Sequence, residues 1–394
     1  MATIPNLHRI KHLVWYSELA YKNDTGIGFR MAAQELKGTP VEYRYLQIVT
    51  PVWKSTEPGL ISKITSNTIV HLGIRNGDTL VLAFRGTDFP MSLDTVIDPQ
   101  RWKGFWSNAY TDISYRKTAL IWEDAQRHPS TLDLSHTLIH EGFLLAFNSL
   151  LHSDTLLECI EKLRKGMKNG QMKFDVCGHS LGGALATLCA LWCKERFPSA
   201  AVRCVTLGSP RVGNAGLQAN FEAAEIECYR LVNDSDPVPT IPDKYADLIP
   251  LRIRPSNPDY HIKQRDFQHT GSPIWLHVGK EIVLHKQYGR AAPYPQDLLS
   301  PQDPPEVQRG ESKIGSPDYE ALRKRGIFSW KWIPYWTGRA AQILYNIPSH
   351  NPVEYTKAVG KILENSRERN VIDGYLSDSG VEKELGGSEG TRRN

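Results

Sequence analysis

The 394 residues carry 47 Lys and Arg against 43 Asp and Glu, a formal net charge of +4, and the two signs are interspersed rather than gathered into the basic runs of a nucleic-acid binder. With 40% hydrophobic and 23% charged residues, the chain has the balance of a globular protein, long enough for one large domain or two smaller ones. No apolar stretch reaches the ~18 residues of a membrane span, and His8, Arg9, Lys11, His12 and Glu18 interrupt the amino terminus, so neither a spanning helix nor a secretory leader is expected.

In chain order, residues 1–60 open on a helical stretch and pass into the alternating run Tyr43 to Lys54, which reads as strand. Residues Thr68 to Asp88 form two strands that meet at Asn76 and Gly77, a hairpin signal. Segment 89–135 is rich in Trp, Tyr, Asp and Ser without a clear period, whereas Ile139 to Met167 has helical spacing and runs out at Gly170. A buried strand, Met172 to Gly178, leads into an apolar helix, Leu181 to Phe197, stopped by Pro198. Another buried strand, Ala201 to Gly208, a helix near Leu217 to Glu225 and a strand, Glu227 to Asp234, complete the alternation. This pattern predicts an α/β fold with a mostly parallel sheet covered by helices on both faces.

From Arg254 to Tyr345 the pattern degrades: 291–316 is rich in Pro, Gln and Ser, and 327–345 is aromatic and broken by Pro334 and Gly338. A short helix is expected from Pro352 to Leu363, closing a domain of residues 1–362, and 363–394 reads as a polar, disordered tail. Cys177, Cys189, Cys193 and Cys204 fall in segments that read as buried, without the paired spacing of a metal site, and reduced core thiols are expected.

The most informative stretch is Gly178, His179, Ser180, Leu181, Gly182 and Gly183, with an apolar strand before it and an apolar helix after it. A nucleophile at such a sharp turn needs a strained backbone, and small neighbours let the adjoining chain pass close by. Ser180 is the candidate nucleophile. The helix behind it points free N–H groups at the reaction centre, where they would stabilise an oxyanion.

In this arrangement the acid and then the base follow the serine. Asp236 suits the acid because it lies just past the strand Cys228 to Val232 and is braced by Pro237 and Pro239; Asp234 and Asp243 are its rivals. The candidate bases are His261, His269, His277, His285 and His350. His350 is preferred, since it ends a loop before the last helix while the others lie in or near strand-like segments. The main-chain N–H groups of Thr87 and Leu181, with the Thr87 hydroxyl, are candidate oxyanion donors; the alternative is a plain strand-ending turn at Arg85 and Gly86.

These residues resemble the class 3 lipase family, the fungal-type triacylglycerol lipases and their plant and bacterial relatives. The motifs are Phe84-Arg85-Gly86-Thr87, His140-Glu141-Gly142-Phe143, Gly178 to Gly183, Leu207 to Asn214, Asp236-Pro237-Val238-Pro239, and His350 followed by Tyr355. They cover about Thr68 to Pro242, with a return at His350. The resemblance implies an α/β-hydrolase fold, Ser180 as nucleophile, Asp236 as acid, His350 as base, and Thr87 with Leu181 as the oxyanion hole. It also implies hydrolysis of glycerolipid acyl esters without metal or organic cofactor. Phe267 to Ser272 is similar to a family strand that precedes the final histidine, which makes His269 structural.

The chain departs from the family at segment 89–135, longer and more aromatic than a short lid and readable as an enlarged lid or a substrate wall, and at 275–345, a long insertion before His350. The paired cysteines and leader of secreted members are not evident, which favours a cytoplasmic protein. Residues 323–339 mix Phe328, Trp330, Trp332, Tyr335 and Trp336 with Lys and Arg, which suits a peripheral contact with a membrane or lipid-droplet surface; the alternative is a loop packed over the domain. Three functions remain open: a lipase or phospholipase A1-like enzyme, an esterase for soluble or plant-wall acyl esters, and a silent lipid-binding module.

Overall fold

The computed structural model describes residues 7–21, 30, 43–50, 68–86, 117–124, 132–151, 155–167, 171–233, 236–240, 267–276, 283–284 and 347–369. The strands are β1 (Tyr43–Val49), β2 (Val70–Arg75), β3 (Thr79–Phe84), β4 (Lys117–Ala119), β5 (Leu138–His140), β6 (Lys173–His179), β7 (Ala201–Leu207), β8 (Glu227–Asn233), β9 (Ser272–Leu276) and β10 (Val283–Leu284). The helices are α1 (Leu7–Leu19), α2 (Glu141–Leu151), α3 (Thr155–Arg164), α4 (Leu181–Arg196), α5 (Ala215–Ala223) and α6 (Pro352–Arg369).

One eight-stranded sheet runs in the order β1, β2, β3, β6, β7, β8, β9, β10. From β3 to β9 every pairing is parallel, and the strands at both ends pair antiparallel. This is the α/β-hydrolase architecture. The β2–β3 hairpin turns on Asn76 at φ 53° and Gly77 at φ 75°, the left-handed pair that a tight right-twisted hairpin demands.

Alternation within β3 shows how the strand serves two cores. Leu80, Leu82 and Phe84 face a cluster built with α2, α3, α4 and α5, while Val81 and Ala83 face a second cluster built with α1 and α6. Because both faces are covered, the central strands read as unbroken apolar runs. Helix α4 is buried from Gly182 to Cys193, which explains why its sequence is apolar all round.

A charged cluster fastens α1 and the neighbouring strands to β6. Asp175 is 2% exposed and accepts from Arg75 Nε at 3.0 Å and Nη2 at 2.7 Å, with His12 at 3.5 Å and Arg203 at 3.6 Å. Burial alone would raise its carboxyl, but His12, Arg203 and Arg75 outweigh it and hold the group at about 2.

Three expectations need correction. Ile139 to Met167 is not one helical stretch: Leu138–His140 is a strand paired with β4, and separate helices follow. The first of these helices ends at Leu151 and the second begins at Thr155. In the region Phe267 to Ser272, the strand starts only at Ser272, because Gly271 at φ 76° bends the chain tightly against Cys228. The last helix continues past Leu363 to Arg369, since Glu and Arg sustain a helix after its apolar stripe has ended. Asp234, Asp243, His261, His277, His285, Thr87, segment 89–116, residues 323–339 and 370–394 lie outside the described residues.

Candidate active site

The turn from β6 into α4 places Ser180 at the C-terminal edge of the parallel sheet. Its backbone sits at φ 58°, ψ −128°, a region that costs a non-glycine residue of order 1–3 kcal/mol. Tight surroundings hold it there. A Cβ on Gly182 would lie 2.9 Å from Arg85 C and Gly86 N, and one on Gly178 would lie 2.9 Å from Gly183 N, so the end of β3 and the start of α4 meet only because both positions are glycine. Ser180 caps α4 without using its side chain, and its N–H donates to Leu207 O at 2.9 Å. Leu181 is the first residue of α4, where a helix leaves its N–H groups without intrahelical partners.

Asp236 follows β8 and is gripped from several sides. Its N–H donates to Asn233 O at 2.9 Å, its Oδ1 accepts from Val238 N–H at 2.8 Å, and its Oδ2 lies 2.8 Å from His350 Nδ1. Tyr355 on α6 also donates its hydroxyl to Oδ2, and that hydroxyl accepts from Asn233 N–H at 3.1 Å. His350 ends a 3-10 turn, Ile347–His350, tied to β8 through Asn233 Nδ2 to Ser349 O at 3.0 Å. Helix α6 starts immediately afterwards because Asn351 Oδ1 caps Val353 N–H at 2.9 Å and Pro352 occupies the first helical position.

The structure therefore brings Asp236 and His350 together and sets the ring of His179, the residue before Ser180, 4.4 Å from the ring of His350. Gly208, at φ 53°, leaves the space for this cluster: a Cβ there would lie 2.9 Å from the Tyr355 hydroxyl and 3.0 Å from His350 Nδ1. His269 stands apart, with Nε2 2.7 Å from Pro239 O, and burial together with Arg230 and Arg211 pushes it well below its ordinary value. Thr87 is outside the described residues, but the preceding Gly86 passes close to Ser180, its would-be Cβ 3.2 Å from Ser180 Cβ. Among the described residues, no group of three His, Cys, Asp or Glu is arranged to hold a metal ion.

This β6–turn–α4 core lies inside residues 81–246, which match the family described as lipase (class 3). Over that span the chain is similar to the class 3 lipase family. This segment has relatives of several kinds. Phospholipase A(1) DAD1, chloroplastic, of Arabidopsis thaliana is 33% identical over 160 residues, covering 38% of this chain and 34% of that protein. Secreted mono- and diacylglycerol lipase 1 of Fusarium solani is 36% identical over 124 residues, covering 31% of this chain and 33% of that protein. The chain thus spans about a third of the length of these curated relatives. A solved Rhizomucor miehei lipase propeptide complex overlaps 74% of each chain at 18% identity, with a TM-score of 0.48.

Residues without a role in the sequence reading also enter the site. Tyr21 lies 158 positions from His179, too far for any local motif to connect them. Asn233 reads simply as the end of a strand. His179 stands inside the glycine-rich turn, and its ring makes the contact that the serine motif concealed.

Proposed function

We propose that the protein is a serine carboxylester hydrolase acting on glycerolipid acyl esters, a lipase or phospholipase A1-like enzyme. The observation that carries the reading is the strained Ser180 at the head of α4, next in sequence to His179, whose ring lies 4.4 Å from that of His350 in the buried Asp236–His350 pair. The names of the Arabidopsis thaliana and Fusarium solani relatives supply the glycerolipid class.

In this reading His350 takes the Ser180 proton as Oγ bonds to the ester carbonyl carbon, and the carbonyl electron pair moves onto oxygen. The N–H groups of Leu181 and Thr87 stabilise that oxyanion. As the tetrahedral species collapses, the bond to the alcohol breaks and the imidazolium proton passes to the departing oxygen. A water molecule then gives a proton to His350 as its oxygen bonds to the acyl carbon, and on collapse the bond to Ser180 Oγ breaks, the imidazolium proton returns to Oγ, and the fatty acid leaves. Asp236 keeps the imidazole in one tautomer and stabilises its charged form.

The reading extends to a cytoplasmic protein meeting a membrane or lipid-droplet surface from outside. Six free thiols and the aromatic, basic composition of residues 323–339 support it. No helix among the described residues is long and apolar enough to cross a membrane.

The test compares p-nitrophenyl butyrate with emulsified diacylglycerol and phosphatidylcholine as substrates. Turnover that rises sharply once the lipid forms an interface supports the glycerolipid reading. Activity confined to the soluble ester moves the assignment to a soluble-ester esterase, and tight lipid binding without turnover moves it to a binding module.

A further inference from the structure

His179 has an enclosure of its own. It ends β6, is 1% exposed, and lies against His350 with ring centroids 4.4 Å apart and planes tilted by 37°. The rings of Tyr21 and Tyr355 meet it edge-on at 5.5 Å and 5.8 Å. The Tyr21 hydroxyl lies 2.8 Å from His179 Nδ1 and donates to the His179 main-chain oxygen at 3.3 Å. The same hydroxyl abuts Gly86, where a Cβ would collide with it. Chain segments following α1, ending β6, preceding α6 and within α6 thus converge on one imidazole.

This arrangement addresses a geometric need of the proposed reaction. The contact with Asp236 fixes the Nδ1 edge of the His350 ring, and proton transfer from a serine needs the opposite nitrogen aimed within tight limits. A flat neighbour in contact with the ring restricts its swing about that edge. The Tyr21 hydroxyl in turn settles which edge of the His179 ring faces it, because only one orientation places Nδ1 beside that hydroxyl. Burial, and next the charge on His350, push His179 well below its ordinary value, so it stays neutral beside a ring that must gain a proton during turnover.

We infer that His179, oriented by Tyr21, is a positioning residue for His350, and that the segment following the N-terminal helix reaches the reaction through this pair. The inference rests on the hydrolase reading above.

The test measures kcat and KM for p-nitrophenyl butyrate in the wild type, Ser180→Ala, Tyr21→Phe, His179→Phe and the Tyr21→Phe/His179→Phe double variant, with Tm for each. Tyr21→Phe keeps the ring and its packing, so it reads positioning even where His179→Phe folds poorly. The expected result is a kcat lowered by about 10- to 100-fold in both single variants with KM within about twofold of wild type. The double variant should be no slower than His179→Phe, since Tyr21 acts through that ring. A wild type that turns over while Tyr21→Phe and His179→Phe keep its kcat, or lose only KM, overturns the inference and leaves the hydrolase reading intact. Fully additive losses also overturn it. An inert wild type overturns both.

Discussion

Asp236 and His350 are 114 residues apart in sequence and 2.8 Å apart in the fold, with both side chains fully buried. Neither could keep that position alone. Asp236 is held by Val238 and Asn233 on its own segment and by the Tyr355 hydroxyl, five residues beyond His350, so His350 and this clamp arrive on the same return of the chain.

Replacing Tyr355 by Phe removes the donor to Asp236 and leaves the buried Asn233 N–H without its acceptor. A loss of about 1–3 kcal/mol in unfolding free energy is expected, with a reduction of kcat on p-nitrophenyl butyrate of about 10-fold as Asp236 loosens. Urea denaturation and steady-state kinetics check the two effects; unchanged values for both would show that the hydroxyl carries no weight.

The glycines at the turn and on the last helix should respond in opposite senses. A Cβ on Gly182 presses on Arg85 and Gly86 backbone, so Gly182→Ala is expected to cost about 1–3 kcal/mol and to displace Ser180. Gly360 lies within α6 with nothing within 4 Å of its would-be Cβ, and Gly360→Ala should add about 1 kcal/mol through helix propensity. Denaturation midpoints moving the same way for both variants would contradict this packing.

How much of this was legible in the sequence follows from where the information lies. The β6–turn–α4 unit and the central alternation are local patterns, and two-sided burial gives them strong apolar signatures, so Ser180 and the sheet could be placed from Lys173 to Asn233. Asp236 could be singled out by its position after β8 and its flanking prolines, and His350 by its position before a helix. The cross-chain contacts of Tyr21 and Asn233 have no local spacing to read. The strand Leu138–His140 ahead of its helix and the continuation of the last helix past Leu363 escape the sequence because a short strand and polar helix formers leave the apolar period unchanged.

Stability should fall on mild acidification. Burial lowers His140 to about 3 from an ordinary 6.5, and also lowers His179 and His269. Below pH 6.5 the unfolded chain therefore binds protons that the folded chain refuses. Stability present above that pH is lost as it falls, by up to about 1.4 kcal/mol per unit for each such histidine. Asp175, held at about 2 against an ordinary 3.8, adds a further loss only as the pH drops through that lower window. Tm is expected to be level from pH 7 to 8 and to decline by pH 5; a level Tm down to pH 5 would contradict the neutral, buried state of these rings.

Membrane contact is expected to depend on the aromatic run in residues 323–339. Combined substitution of Trp330, Trp332 and Trp336 by Ala should reduce sedimentation with anionic liposomes while p-nitrophenyl butyrate hydrolysis is kept. Undiminished liposome binding would remove this segment from the account.

The central claim is that Ser180 is the nucleophile and His350 its base. It is tested most directly by p-nitrophenyl butyrate hydrolysis with wild type, Ser180→Ala and His350→Ala at matched fold. The account predicts an active wild type and a loss of about 10⁴-fold or more in kcat for each variant. Turnover surviving in Ser180→Ala would contradict the nucleophile assignment, and turnover surviving only in His350→Ala would place the base on another residue.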